Sequence, residues 1–406
     1  MDNILDFILK YYPYLIIPFI SGFVGWFTNV IALKMTFYPL EYIGIRPFGW
    51  QGIIPSKAAK MAKISVSLMT SKLVSVTEVF SKLSPERIEE EIQPAIRSLA
   101  KQITNEVMQA QAPLLWNNLP EKTKKNVIKI IEAELPRVIK ELMDDIKVNI
   151  EDILDLKSLA IAALMEDKAL INHVFLSVGN KEFKFIEHSG FYFGFLFGII
   201  QAVVFYLYDP WWVLVLFGIF VGFATNFLAI RLIFRPLNPV NILGLFKVQG
   251  IFLKRQDVVA REYARIIKKQ ILTIERLFDY TLRGPDPDRF SDLSKYHTDK
   301  LIDTVIAKST PLVGLLNLDK KLVYIKNIVH YRFIEELPIA MRFVYPYANQ
   351  AIDVENILST KMAALSKAEF EAFLRPVFQE DEMKLMIVGA FLGGIAAAIQ
   401  FLLFFW

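Results

Sequence analysis

The sequence predicts an all-α membrane protein with four transmembrane helices, produced by a tandem duplication and carrying two large helical cytoplasmic inserts. Three observations carry that reading. Hydrophobic residues make up 54% of the 406 positions and aromatic residues 13%, more than a soluble globular chain uses. The excess collects in residues 11–33, 189–208, 210–230 and 385–406, none of which contains a charged side chain; roughly 20 apolar residues span a bilayer core as a helix. Residues 23–40 recur as 220–237 with nine of eighteen positions identical, and an internal repeat of this kind sets the architecture.

In chain order, residues 1–33 are expected to form a short outer tail (1–12) and the first transmembrane helix. The opening MDNILDFILK lacks a basic region and a small-residue cleavage site, so this helix reads as retained rather than as a signal peptide. It carries Ser21, Gly25, Thr28 and Ala32 at helical spacing, and the third helix carries Gly218, Gly222, Thr225 and Ala229 at the same spacing. Small residues on one face allow another backbone to approach closely in lipid.

Residues 34–188 form the first insert. No glycine occurs from 53 to 178, and Ile131, Leu135, Val138, Leu142 and Ile146 recur at helical spacing, which predicts an array of amphipathic helices with little or no sheet. Ser84-Pro85-Glu86 reads as a helix N-cap with proline in the first turn, and Pro113, Pro120 and Pro136 as breaks. Residues 189–234 are the hairpin of helices two and three, 235–384 the second insert, and 385–406 the fourth helix. Helix two has Gly190, Gly194 and Gly198 before Gln201; helix four has Gly389, Gly393 and Ala397 before Gln400. The short outer turn at 208–211 suggests that Gly194 packs against the face of helix three bearing Gly222 and Asn226.

Charge sets the orientation. Lys34, Arg46, Lys57, Lys60 and Lys63 follow helix one, and Arg231, Arg235, Lys247, Lys254 and Arg255 follow helix three, whereas the opposite flanks are poor in cations. The positive-inside rule puts both inserts in the cytoplasm and both termini outside. The implied location is the cell (inner) membrane, with the lipid bilayer as the obligatory partner. A net charge of +4 is too small to argue for nucleic acid. The absence of cysteine excludes disulfides and fits a reducing compartment.

The repeated TN-x-x-A-[IL]-[KR] segment, the Gln51-Gly52-Ile53 and Gln249-Gly250-Ile251 turns, and Leu374-Arg375-Pro376-Val377-Phe378-Gln379 before a glycine-rich last helix resemble the uncharacterised bacterial multipass membrane family that includes YheB. The resemblance covers nearly the whole chain and implies a cell-membrane location with a helical cytoplasmic body. It transfers no catalytic residue. The repeat departs from itself where Tyr38 stands opposite Arg235 and Pro55 opposite Leu253.

Candidate chemistry is sparse. Thr28, Asn29, Thr225, Asn226, Gln201 and Gln400 are polar groups in apolar helices, where an unpartnered amide is costly. They read either as a polar site for a solute, ion or lipid headgroup, or as interhelical hydrogen bonds that fix packing. Lys34, Arg231 and Arg235 read as lipid-phosphate contacts or as cations snorkelling to the surface. The four histidines lack metal-ligand spacing, Asp286, Asp288 and Asp292 make at most a partial calcium pattern, and no nucleophile elbow or phosphate loop is present. No metal, cofactor or catalytic residue is therefore expected, and the chain reads as a non-enzymatic, membrane-anchored scaffold or interaction protein. The alternative is a transport or lipid-handling protein that uses the polar positions or a groove between the inserts, where a protein partner or lipid would bind.

Overall fold

The computed structural model describes the chain except residues 1, 46–48, 209, 243, 245, 285–286, 310–320, 377–381 and 405–406; of residues 2–11, 115, 242 and 246 it describes the backbone only. The described residues are predominantly helical and fall into two compact units.

The first unit gathers residues 1–69, 161–267 and 358–406. It contains four stretches of helix long and apolar enough to cross a membrane: Tyr12–Phe37 within the helix Asp2–Phe37, Asn180–Leu207, Trp211–Phe234 and Glu382–Phe404. The first helix runs from Asp2 through Pro13 and Pro18, so residues 2–12 of the expected tail are helical, while the stretch long and apolar enough to cross a membrane begins at Tyr12. Helix-forming residues such as Leu5, Ile8 and Leu9 precede Pro13, and membrane helices tolerate proline where neighbouring groups satisfy the freed carbonyls. The first helix packs along the second and the third along the fourth. Helices two and three also adjoin, with Phe205, Val213 and Leu214 forming an apolar cluster that Ile17 of helix one joins.

Below each odd-numbered membrane helix the chain makes a similar turn. Gln51 donates its amide to the carbonyl of Leu40 at 2.7 Å, and Gln249 donates to that of Leu237 at 2.9 Å. Each following glycine lies against the end of the preceding helix: a Cβ on Gly52 would sit 2.7 Å from the Tyr38 nitrogen, and one on Gly250 would sit 2.7 Å from the Phe234 carbonyl carbon. The turn therefore requires glycine for close approach. In the second copy it includes an antiparallel ribbon of Val240–Ile242 with Phe246–Val248; in the first, the single bridge Ile43 to Trp50.

The second unit gathers residues 70–160 and 268–357, so it draws on both inserts. Its main helices are Pro85–Gln111, Glu121–Val148, Asp288–Lys308 and Leu322–Met341. Ser84 caps the first of these, accepting from the Arg87 N–H at 3.4 Å, with Pro85 in the first turn. Pro113 and Pro120 stand at helix starts, but Pro136 lies inside the Glu121–Val148 helix rather than breaking it. The buried face of Val138, Leu142, Met143 and Ile146 holds the helix in place after the one backbone bond that proline removes. Polar ties join the inserts: Lys300 to Glu141 at 2.7 Å, Arg332 to Glu106 at 2.9 Å, and the Ser84 N–H to the Tyr347 hydroxyl at 2.8 Å. Asp288 and Asp292 lie on the Asp288–Lys308 helix, whereas Asp286 and the Val377-Phe378-Gln379 part of the closing motif lie outside the described residues.

Candidate functional site

Asn29 and Asn226 occupy the same place in their respective helix pairs. Asn29 is fully buried and donates to the Ile186 carbonyl of helix two at 2.6 Å; Asn226, 2% exposed, donates to the Leu385 carbonyl of helix four at 3.1 Å. Each accepting carbonyl lies one turn before a glycine, Gly190 or Gly389. Any Cβ at that glycine would crowd the asparagine nitrogen, to 2.7 Å at Gly190 and closer at Gly389. The glycine thus uncovers a carbonyl that already serves its own helix, that of Ile186 accepting also from the Ser189 hydroxyl at 2.9 Å, and the asparagine adds a bond across to the neighbouring helix.

The glycine seam does not join helices two and three as the short hairpin suggests. A Cβ on Gly194 would collide with the Ser21 carbonyl of helix one, and one on Gly222 with the Gly389 carbonyl of helix four. Spacing along a helix identifies the face that carries glycine, whereas the partner is settled by which neighbour offers a matching bare backbone. Ser21 and Gly25 offer one to helix two, and Gly389 and Gly393 offer one to helix three.

The other polar positions are also buried. Thr28 donates to the Gly25 carbonyl at 3.1 Å and Thr225 to that of Val221 at 2.8 Å, bonds within their own helices. Gln201 accepts from the Ser21 hydroxyl at 2.7 Å and donates to the Leu214 carbonyl at 3.3 Å, which ties it to helices one and three. Gln400 is buried with its Nε2 unpartnered among the described residues, and Asn29 Oδ1 shares that condition. The structure therefore groups Asn29 with helix two and Asn226 with helix four, and it does not bring Gln201 or Gln400 to either asparagine.

The cations differ from one another. Lys34 is exposed in the last turn of helix one, and the Arg231 guanidinium lies 5.7 Å from the Phe227 ring centroid. Arg235 instead makes a two-pronged bond to the buried carboxylate of Glu371, at 3.1 and 3.2 Å, and that carboxylate also takes Arg375 at 3.0 Å. Such fork geometry fixes orientation as well as charge. Glu371 was not a candidate from sequence, because a lone glutamate in an amphipathic helix carries no sign of its partner.

A second feature was legible only as apolar helix faces. Between the four main helices of the second unit lies a cavity of about 280 Å³, lined among the described residues almost wholly by apolar side chains such as Ile92, Leu99, Ile103, Ile131, Leu135 and Val305. Most hydroxyls on its wall are turned to their own helices: Thr104 donates to the Ala100 carbonyl, Ser294 to Ser291 and Thr298 to Lys295. Two polar residues on the wall keep an unpartnered atom. His297, 2% exposed, bonds the Asp145 carboxylate through Nε2 at 2.8 Å and leaves Nδ1 without a partner among the described residues; Ser309, 9% exposed, leaves its Oγ so.

Electrostatics near this unit follow its ion pairs. Hydrogen bonding to Lys300 holds the Glu141 carboxyl below its usual range, Gln102 and Arg332 do the same for Glu106, and burial pushes the His330 imidazole down.

Comparison with known proteins adds a membrane kinship. Stretches of this chain are similar to UPF0754 membrane proteins. A relative from Anoxybacillus flavithermus is 33% identical over 85 residues, covering 20% of this chain and 22% of the relative. One from Bacillus pumilus is 36% identical over 64 residues, 15% of this chain and 17% of the relative. UPF0754 membrane protein SERP1382 of Staphylococcus epidermidis is 24% identical over 167 residues, 39% and 41%. Each match therefore spans less than half of the relative's length. The shared name states a membrane location and no activity, which fits the uncharacterised membrane class of the resemblance without showing YheB. No family model matches the chain, and no solved structure matches it.

Proposed function

We propose that the chain is a non-enzymatic, membrane-anchored scaffold or interaction protein. In this reading the four-helix membrane bundle is an anchor and the helical unit is the working part. The supporting observation is that Asn29 and Asn226, the polar groups best placed to serve a pathway, are buried and bonded to backbone carbonyls of neighbouring helices. A transport path needs polar groups that face water. The matched bonds from Asn29 and Asn226, and from Gln51 and Gln249, support a tandem duplication whose halves each run helix, insert, helix. The cation-rich flanks of helices one and three support cytoplasmic inserts with both termini outside, in the cell membrane.

The absence of cysteine makes the test direct. Asn29→Cys and Asn226→Cys, each the sole thiol in its variant, are exposed in membranes to a charged, water-soluble methanethiosulfonate from either side, with Lys34→Cys as the exposed control. The anchor reading expects labelling of the control alone. Labelling at 29 or 226 would move the reading to transport through the bundle, which Gln400 Nε2, unpartnered among the described residues, favours.

A further inference from the structure

We propose that the cavity of the second unit holds one acyl chain of a bilayer lipid, with the polar end of the lipid at Ser309. This inference goes beyond the anchor reading and is independent of it: the bundle can be closed whether or not the helical unit carries a lipid.

Four observations converge on this occupant. The cavity is apolar in a way that water does not satisfy, because the wall hydroxyls of Thr104, Ser294 and Thr298 are bonded to their own helices, and a water needs two or more polar partners to stay. Its volume fits a chain. A cavity of about 150 Å³ lined by Leu, Ile and Phe accepts benzene, so about 280 Å³ has room for roughly twice as many carbons, ten to twelve in a row, the greater part of one chain of a bilayer lipid. It is too small for a partner helix, whose width alone is about 10 Å. Its shape is elongated, since the wall follows the Pro85–Gln111 helix from Ile88 to Met108, about 30 Å at 1.5 Å per residue.

The last observation is polar. Ser309 closes the Asp288–Lys308 helix as its C-cap residue, at one end of that helix's contribution to the wall, and its buried Oγ has no partner among the described residues. A hydroxyl left so at the end of an apolar channel donates well to an ester or carboxyl oxygen. The buried Nδ1 of His297, three turns back along the helix, is the alternative point for that oxygen. The lipid source is the bilayer itself, because the same chain supplies four helices long and apolar enough to cross a membrane.

The full-length protein in phosphatidylcholine–phosphatidylglycerol nanodiscs tests this. The nanodiscs carry either a phospholipid with a diazirine midway along one acyl chain or a free fatty acid with the same group, and photo-adducts are mapped by peptide mass spectrometry. Membrane helices serve as the internal control, since they touch lipid in any case. The expected result is phospholipid adducts on the Pro85–Gln111, Glu121–Val148, Asp288–Lys308 and Leu322–Met341 helices as well as on the spans. Val305→Trp, which fills the cavity, should lower the former at least tenfold, leave the latter unchanged and keep or raise the melting temperature. Ser309→Ala should lower cavity adducts severalfold; an equal loss in His297→Phe with none in Ser309→Ala would overturn the placement of the polar end. Adducts confined to the spans, cavity labelling by the fatty acid alone, or cavity labelling that survives Val305→Trp in a folded protein would each overturn the proposal. A failure of this kind leaves the thiol-labelling result at 29 and 226 untouched.

Discussion

The amide of Asn29 reaches the Ile186 carbonyl at 2.6 Å only because Gly190 has no side chain: a Cβ there would lie 2.7 Å from the asparagine nitrogen and would also collide with the Gly25 carbonyl. The same relation joins Asn226, Leu385 and Gly389. Close backbone contact and the polar bond are therefore one structural device used in both helix pairs.

Gly190→Leu should separate helices one and two and remove the bond, at a cost of about 3 kcal/mol from overpacking and a lost interhelical hydrogen bond together. Val203→Leu on the same helix, at a position 55% exposed to the lipid side, should change stability by under about 0.5 kcal/mol. Thermal melts of both variants in the same detergent check this; equal midpoints would show that the glycine face does not pack.

Asn226→Leu should cost about 1 kcal/mol, and Gly389→Leu more. Because both changes act on one contact, the double variant should lose clearly less than the sum of the two. A double-variant cycle measured by urea or thermal unfolding in detergent reads the coupling, and strict additivity would mean that the two residues do not meet.

Much of this was legible in the sequence because it is local. The charge-free runs gave the four spans, the period of Gly190, Gly194 and Gly198 gave a packing face, and Ser84-Pro85 gave a helix start. The partner of the glycine face was not legible. A short loop at 208–211 argues that helices two and three are neighbours, which they are at Gln201 and Leu214, but says nothing about how each helix is rotated. The salt bridge of Arg235 with Glu371 joins residues 136 positions apart, with no periodic signal between them. The faces of Ile131, Leu135 and Val138 were readable as buried, yet whether four such faces meet as filled core or leave a cavity depends on helix separations of a few ångströms, which no spacing rule encodes.

Glu371→Gln should destabilise the protein by about 2 kcal/mol or more, because it leaves two guanidinium groups facing a partly buried neutral amide. Arg235→Gln should cost less, since Arg375 still neutralises the carboxylate and Arg235 is half exposed. Melting temperatures at neutral pH and moderate salt rank the two; a larger loss for Arg235→Gln would reverse the assignment of Glu371 as the central member.

Acid should destabilise the second unit in two steps. Burial lowers the folded pKa of His330 from its ordinary 6.5, so the folded state binds fewer protons than the unfolded chain, and stability falls as pH drops below about 6.5. The carboxylates follow. Glu86 is held at about 2 against an ordinary 4.5, first by its hydrogen bond to Lys140 and then by Ser84, and Glu106, Glu134 and Glu141 are lowered by their own hydrogen-bond partners. Their contribution is complete above pH 4.5 and is lost as pH falls through their folded values. Melting temperature against pH from 7.5 to 2.5 should thus decline gently and then steeply below 4.5, with the first step absent in His330→Gln. A midpoint that rises on acidification would contradict the sign.

The most direct measurement of the central claim, that each half closes its own helix pair and buries its own polar groups, is oxidative cross-linking of paired cysteines in native membranes, in a chain with no thiols of its own. A Cβ on Gly198 would sit 2.8 Å from that of Ser21, and one on Gly218 closer still to that of Ala397; a disulfide takes Cβ atoms about 3.5–4.5 Å apart, so each pair closes once its helices part by about 1 Å. The account predicts rapid cross-linking of the 21/198 and 218/397 cysteine pairs and none of the 194/222 pair. Efficient cross-linking at 194/222 with none at the other two would contradict it.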